Sequence, residues 1–235
     1  MDASPFPPGF FDRTDAAADE QFYSVARLVT HIDAAAISAV GAVYDELGID
    51  GEVLDLMGSW VSHFRTPPRH LTVLGMNADE LAANPLADAT AVYDLNTEPR
   101  LPFAADSFDA AVCCVSVDYL TRPVEVFTDV ARVVRSGGLF VCTFSNRCFP
   151  TKAIRGWLTT TDEQHCEIVA QYFRLADGWD EPTAELDARN EQVVLAALLH
   201  LRAEHGATVV VVTHSERVAE AVDRVIELRD GRAVA

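Results

Sequence analysis

Between residues 52 and 144 the chain repeatedly changes its hydrophobic period, and this limits what it can fold into more than any other feature. Glu52–Met57, Leu71–Gly75, Ala89–Tyr93, Phe108–Val115 and Leu139–Phe144 are short apolar runs that read as strands. Their near-continuous hydrophobicity suits strands covered on both faces, as in a parallel sheet. The clearest intervening helix runs from Pro123 to Val134, with Thr121 before it and Gly137-Gly138 behind it. Val124, Phe127, Val130, Ala131 and Val134 form its buried stripe. Strands alternating with helices imply right-handed crossovers, and so an α/β domain built on a doubly wound, mostly parallel sheet.

The flanks have a different pattern. Residues 1–13 are rich in proline and aromatics and read as an extended arm, followed by helical patterning at Asp15–Leu28 and again at Asp33–Leu47. In the second helix Asp33 is placed to cap the start and Gly48 the end. Thr161-Asp-Glu-Gln164 has the form of a capping box that opens a further helix. After a composition break at Ala176–Pro182, a helix is expected at Asp187–Glu204, a strand at Ala207–Val212 and a short helix from Ser215. A closing hairpin is expected at Val225–Leu228 and Ala233–Ala235, turning near Asp230-Gly231. This divides the chain into an arm with cap helices (1–48), an α/β core (49–180) and an atypical α/β tail (181–235), the tail packed on the core.

Eighteen basic against 36 acidic residues give a formal charge of −18, which repels polyanions and argues against nucleic acid as a partner. No apolar run is long enough for a membrane span. Met1–Phe11 has neither a cationic flank nor an apolar core of the secretory kind, so a soluble cytoplasmic protein is expected. Cys113, Cys114, Cys142, Cys148 and Cys166 are odd in number and lack C-x-x-C spacing, so neither a metal site nor a disulfide framework is expected.

In open parallel sheets ligands bind beyond the carboxyl ends of the strands. Here those ends read Asp55-Leu-Met-Gly58-Ser-Trp60, Gly75-Met-Asn77, Asp94-Leu95-Asn96 and Ser116-Val-Asp118-Tyr119. Further on, Leu101-Pro102-Phe103 and Asp106-Ser107-Phe108-Asp109 precede the fourth strand, and Arg135-Ser136-Gly137-Gly138-Leu139 the fifth. Together with Thr30-His31-Ile32-Asp33 and Ser145–Lys152, this set resembles class I S-adenosylmethionine-dependent methyltransferases over roughly residues 5–181. It is closest to a subgroup whose first motif reads Asp-Leu-Met-x-Ser-Trp.

The resemblance implies a Rossmann-like methyltransferase fold, S-adenosylmethionine as cofactor, and a small-molecule acceptor that the sequence does not name. It places Asp55 and Gly58 at the methionine part of the cofactor and Asn77 at the ribose hydroxyls, with Met57, Ser59 and Met76 also in the cofactor site. Asp94 falls at the adenine amino group with Leu95 beside the ring, and Ser116 borders the site. Most of the family has an acid at the position of Asn77, and more glycines in the first loop. Asp118, Tyr119 and His63, with His31, are the nearest candidates for a general base. A hydrogen-bonded structural histidine, a solvated loop acid and a packing role for Trp60 are the competing readings.

The last 56 residues, Asp180–Ala235, resemble part of an ABC transporter ATP-binding domain. Asp180-Glu-Pro-Thr-Ala-Glu-Leu-Asp187 resembles its Walker B and D-loop, and Val209-Val-Val-Val-Thr213-His214 its last core strand and switch histidine. A P-loop needs G-x-x-x-x-G-K-[ST]. The sole lysine, Lys152, follows Phe149-Pro150-Thr151, with no such glycines. The chain therefore reads as a chimera: a methyltransferase-like core ending in an ATPase-like fragment that has no phosphate cradle. Three functions follow: methyl transfer by in-line displacement, a non-catalytic remnant of that fold, and an ATP-binding module. Ala207–Val212 is expected to dock on the open edge of the fifth strand.

Overall fold

The computed structural model describes residues 5–186, 193–199, 209–212, 227–229 and 232–234. In chain order, α1 (Asp19–Phe22) and α2 (Ala34–Glu46) precede β1 (Glu52–Leu56), β2 (His70–Gly75), α3 (Ala78–Ala82), β3 (Ala89–Val92) and β4 (Phe108–Cys114). Then come α4 (Pro123–Val133), β5 (Val134–Ser145), α5 (Arg155–Leu158) and α6 (Asp162–Leu175). The tail holds β6 (Thr183–Leu186), β7 (Val193–Leu199), β8 (Val209–Val212), β9 (Glu227–Arg229) and β10 (Arg232–Val234). Strands β3-β2-β1-β4-β5 lie side by side and all parallel, which is the doubly wound sheet expected of a Rossmann-like methyltransferase fold.

The continuous apolar runs are explained by the two-sided burial. On one face Leu54, Leu56, Leu74, Ala111, Cys113, Phe140, Cys142 and Phe144 join Phe127 of α4 and Tyr172 and Phe173 of α6. On the other, Val53, Leu71, Val73, Ala110, Val112 and Val141 join Val40, Val43 and Tyr44 of α2. Successive strand residues alternate between these layers, so most positions of the central strands are apolar. Asp33 caps α2 through its side chain, accepting from Ala36 N at 2.9 Å. Thr161 and Gln164 form both halves of the capping box on α6.

The first helix is much shorter than its periodicity suggests. Of Asp15–Leu28 only Asp19–Phe22 is helical, and Val25, Leu28 and Val29 are 67%, 56% and 55% exposed. Both sheet faces are already covered by α2 and by α4 with α6, so an amphipathic stripe here has no surface to bury against. Polar contacts hold the arm instead. The Lys152 ammonium is wholly buried and lies 2.8 Å from the Ala17 carbonyl and 3.1 Å from carboxylate oxygens of Asp15 and Asp19. Arg13 reaches both oxygens of Asp19 at 2.9 Å. Against the upward push of burial, hydrogen bonds from Arg13, Asn96 and Lys152 hold the Asp19 carboxyl below its usual range.

The tail also departs from expectation. Residues 193–199, inside the helix expected at Asp187–Glu204, form strand β7, antiparallel to β5 from Leu139↔Leu199 to Ser145↔Val193. The segment Val-Val-Leu-Ala-Ala-Leu-Leu has no polar face for a surface helix, whereas it matches an open sheet edge. Val209–Val212 is a strand as expected, but β7 has taken the edge of β5, and β8 pairs with β7 instead. β9 and β10 pair antiparallel, as the closing hairpin requires. The helix expected from Ser215 and the turn at Asp230-Gly231 lie outside the described residues.

Removing Lys152 leaves Asp19 to Arg13 and Asn96 alone and takes a charge-assisted bond from the buried clasp. Lys152→Met is expected to lower stability by about 1–3 kcal/mol, measured by urea unfolding at pH 7. Arg155→Ala, whose guanidinium pairs with the exposed Asp12 carboxylate, is the control and should move the midpoint little.

Candidate functional site

Strand order reverses between β1 and β4, the two central strands, and the chain leaves both in unusual conformations. Met57 has φ 54° and Val115 φ 47°, left-handed values that are rare for any side chain and rarest for a β-branched one. Val115 is held there by its N–H, which donates to Thr143 O at 2.6 Å. The loops after β1 and β2 press backbone on backbone. Gly58 N donates to Leu74 O at 2.9 Å, and a Cβ on Gly75 would lie 2.2 Å from the Gly58 carbonyl oxygen. Only glycine fits that approach.

A cavity of about 330 Å³ opens at these strand ends, within the range of small-molecule sites. Asp55, Met57, Gly58 and Ser59 line it from the first loop, Met76 and Asn77 from the second, and Asp94 and Leu95 from the third. Ser116, Tyr119, His63 and His31 complete the set that the sequence singled out. Positions 55, 77 and 94 therefore do converge on one hollow. Asp118 is brought near but not into it. It is buried outside the cavity wall, its Oδ2 has no hydrogen-bond partner among the described residues, and burial lifts its carboxyl to about 8.

Asp55 ends β1 between Val73 and Val112, with one hydrogen bond, from Ser62 Oγ to Oδ2 at 2.5 Å. Burial pushes its carboxyl up to about 7, opposed by the Ser62 bond. Asn77 caps α3. Its Oδ1 accepts from Asp79 N and Glu80 N, each at 3.0 Å, and its Nδ2 donates to Tyr23 O at 2.8 Å. Both lone pairs of the amide oxygen are thus used, leaving one N–H for a ligand. Asp94 closes its own turn, accepting from Asn96 N at 2.9 Å and Thr97 Oγ1 at 2.7 Å, with lone pairs to spare.

Among the wall residues that the sequence did not single out are Glu80 and Asn96. Glu80 lies one turn beyond Asn77, accepts from Arg27 N and Ser59 Oγ at 2.6 Å each, and lines the cavity. The Asn-x-x-Glu spacing of a capped helix start was the available signal. Asn96 also lines the cavity. It accepts from Thr121 N and donates to Asp19 and to Tyr119 O, so it ties the arm to the floor of the site.

The wall opposite is aromatic and basic. Phe149 lies 5.2 Å from Phe22, 5.3 Å from His31 and 6.0 Å from Tyr119, ring centre to ring centre. Burial holds the His31 and His63 imidazoles below the ordinary histidine range; at His31 the Glu80 charge opposes this and Arg27 adds to it, and at His63 the neighbouring His31 adds to it. Both rings are therefore neutral near pH 7, and His63 Nδ1 is buried without a partner among the described residues.

Residues 60–142 match the protein-family model described as "Methyltransferase domain". Among solved structures, the PH0226 protein of Pyrococcus horikoshii is similar over 77% of this chain and 98% of its own, at 14% identity and TM-score 0.50, a likeness of fold. The geranyl diphosphate C-methyltransferase of Streptomyces coelicolor is similar over 69% of this chain and 77% of its own, at 14% identity and TM-score 0.47. A short stretch has a different likeness. It is 52% identical over 52 residues to a macrolide export ATP-binding/permease protein of Rhodopirellula baltica, and 55% over 56 residues to one of Paracoccus denitrificans. The matched stretch spans about 8% of the length of these curated relatives.

The raised Asp55 carboxyl has a cost in the free protein. The unfolded chain ionises Asp55 near the ordinary value of 3.8 and the folded chain near 7, so stability falls as pH climbs between these values and stays lower above them. Asp55→Asn is expected to stabilise the free protein by on the order of 2–4 kcal/mol at pH 8 and to be nearly neutral at pH 4, compared by urea unfolding at the two pH values.

Proposed function

We propose that the chain is an S-adenosylmethionine-dependent methyltransferase acting on a small-molecule acceptor. The observation that carries this reading is the convergence of Asp55, Asn77 and Asp94 on one cavity at the switch point of a sheet. The match of residues 60–142 to a methyltransferase family model supports it. The residues suit the cofactor: a desolvated carboxylate for an ammonium, Gly58 in the wall where a ligand can approach the backbone, and Leu95 there as an apolar neighbour for a flat ring.

When bound, S-adenosylmethionine supplies an electrophilic methyl group that passes to an acceptor lone pair as the carbon–sulfur bond breaks and its electrons stay on sulfur. The chain's part is alignment, which alone is worth on the order of 7–11 kcal/mol. Asp55 holds the ammonium end. Glu80 supplies the carboxylate for the ribose hydroxyls that Asn77, its oxygen already committed, cannot provide, while Asn77 adds one N–H. Asp94 takes the adenine amino group and Ser116 closes the floor. Neutral His63, backed by His31, takes the acceptor's proton where it has one; Tyr119 shapes the wall and Asp118 supports it from behind.

A second reading, binding of ATP, is favoured by the short likeness to ATP-binding/permease proteins. The lack of G-x-x-x-x-G-K-[ST] weighs against it, since the one lysine is buried in the arm clasp.

Calorimetry with S-adenosylhomocysteine and with ATP and magnesium tests both. Saturable binding of the first alone is expected, and binding of ATP with magnesium alone overturns the proposal. An ammonium beside Asp55 draws its carboxyl down from about 7, so binding near pH 6.5–7 should release a fraction of a proton. This is read from heats in buffers of different ionisation enthalpy. Asp55→Asn should abolish the release and weaken binding roughly 10- to 100-fold.

A further inference from the structure

We infer that the methyl acceptor carries a carboxylate, held at the β5 side of the cavity by Arg147 with Arg27 beside it. This rests on the reading of the cavity as a methyltransferase site and adds the class of its second ligand. The ends of β1, β2 and β3 hold Asp55, Asn77 and Asp94, whereas Arg147, Cys148 and Phe149 enter from the loop after β5, beyond β4. Arg147 and Phe149 thus enter from the side of the sheet opposite Asp94, while Arg27, whose backbone N–H donates to Glu80, reaches the Phe149 ring from the arm.

Arg27 and Arg147 are the two arginines in its wall, in a chain with twice as many acidic as basic residues. Neither guanidinium pairs with a carboxylate among the described residues. Arg27 is fixed with its guanidinium carbon 4.5 Å from the centre of the Phe22 ring and 5.7 Å from that of Phe149. It donates one hydrogen bond, from Nη2 to Phe22 O at 2.8 Å. An arginine has five N–H donors, so most of those on Arg27 and all of those on Arg147 remain for a ligand. None of the acids in the same wall reaches these two guanidinium groups among the described residues: Asp19 is bound by Arg13 and Lys152, while Asp55, Glu80 and Asp94 are the acids assigned to the cofactor. Guanidinium groups match a carboxylate fork, and the rings of Phe149 and Tyr119 suit an apolar or aromatic body attached to it.

The test compares phenylacetate with phenylacetamide, which differ in charge and little in shape, by calorimetry on the full chain saturated with S-adenosylhomocysteine. The acid is expected to bind about tenfold tighter or more than the amide, and Arg147→Gln to reduce that ratio to roughly twofold or less. S-adenosylhomocysteine affinity should be unchanged in this variant. Equal affinity for acid and amide, no binding of the acid up to about 20 mM, or an intact preference in Arg147→Gln overturns the inference. The cofactor's own carboxylate is the rival occupant. In that case Arg147→Gln weakens S-adenosylhomocysteine but not 5′-methylthioadenosine, which lacks the amino-acid end, and the inference fails. If S-adenosylhomocysteine does not bind the wild-type chain, the methyltransferase reading fails, while the acid–amide comparison without it still decides the role of Arg147.

Discussion

A carboxylate held out of water at the end of the central strand is the constraint around which the site is organised. Asp55 sits in a sheet whose strands are covered on both faces, in register with Val73 and Val112, and is donated one hydrogen bond, by Ser62. Strand alternation turns it toward the α2 layer, the same side as Val53. Apart from Ser62 its strand neighbours are apolar because the strand must be buried, so ionisation of Asp55 works against the fold unless a cation is beside it. The sheet thus converts folding energy into a preference for a positively charged ligand group at one point in the cavity.

The opposite wall is made by a segment with little regular structure of its own. Residues around Asp19 reach the cavity only because Lys152 and Arg13 neutralise a buried carboxylate that Asn96 also binds. Asn96 follows Asp94 and Leu95 by one or two residues, so the clasp that fixes the arm and the turn that presents Asp94 are one piece of backbone. Disturbing Lys152 therefore disturbs both stability and the shape of the site.

How much of this was legible in the sequence depended on whether the cause was local. The five parallel strands, the cap at Asp33 and the box at Thr161 were readable because periodicity and capping act within a few residues. Twelve of the thirteen candidate site residues, all but Asp118, line the cavity for the same reason: strand ends are local features, and the fold brings them together. Asp15–Leu28 misled because helical spacing says nothing about whether a free face exists to receive it. Val193–Leu199 misled because an all-apolar run takes the structure its neighbours offer, here the edge of β5. The commitment of the Asn77 oxygen and the burial of Asp118 are properties of packing.

The tail bears on the sheet and not on the ligand. All the described residues of the cavity wall fall between Asp19 and Phe149, and none comes from β6 to β10. Strand β7 runs antiparallel beside β5 along its length, from Leu139 to Ser145, and so satisfies backbone groups that an open edge would leave to solvent or to another chain. Any strand of matching length and apolarity could do this, because main-chain pairing asks little of side-chain identity. Loop positions after β1, β2 and β3 have no such freedom, since Gly58 and Gly75 are set by a backbone contact and Asp55 by its burial. A fold with a permissive edge and an exacting centre can vary its ending and keep the geometry of its cavity.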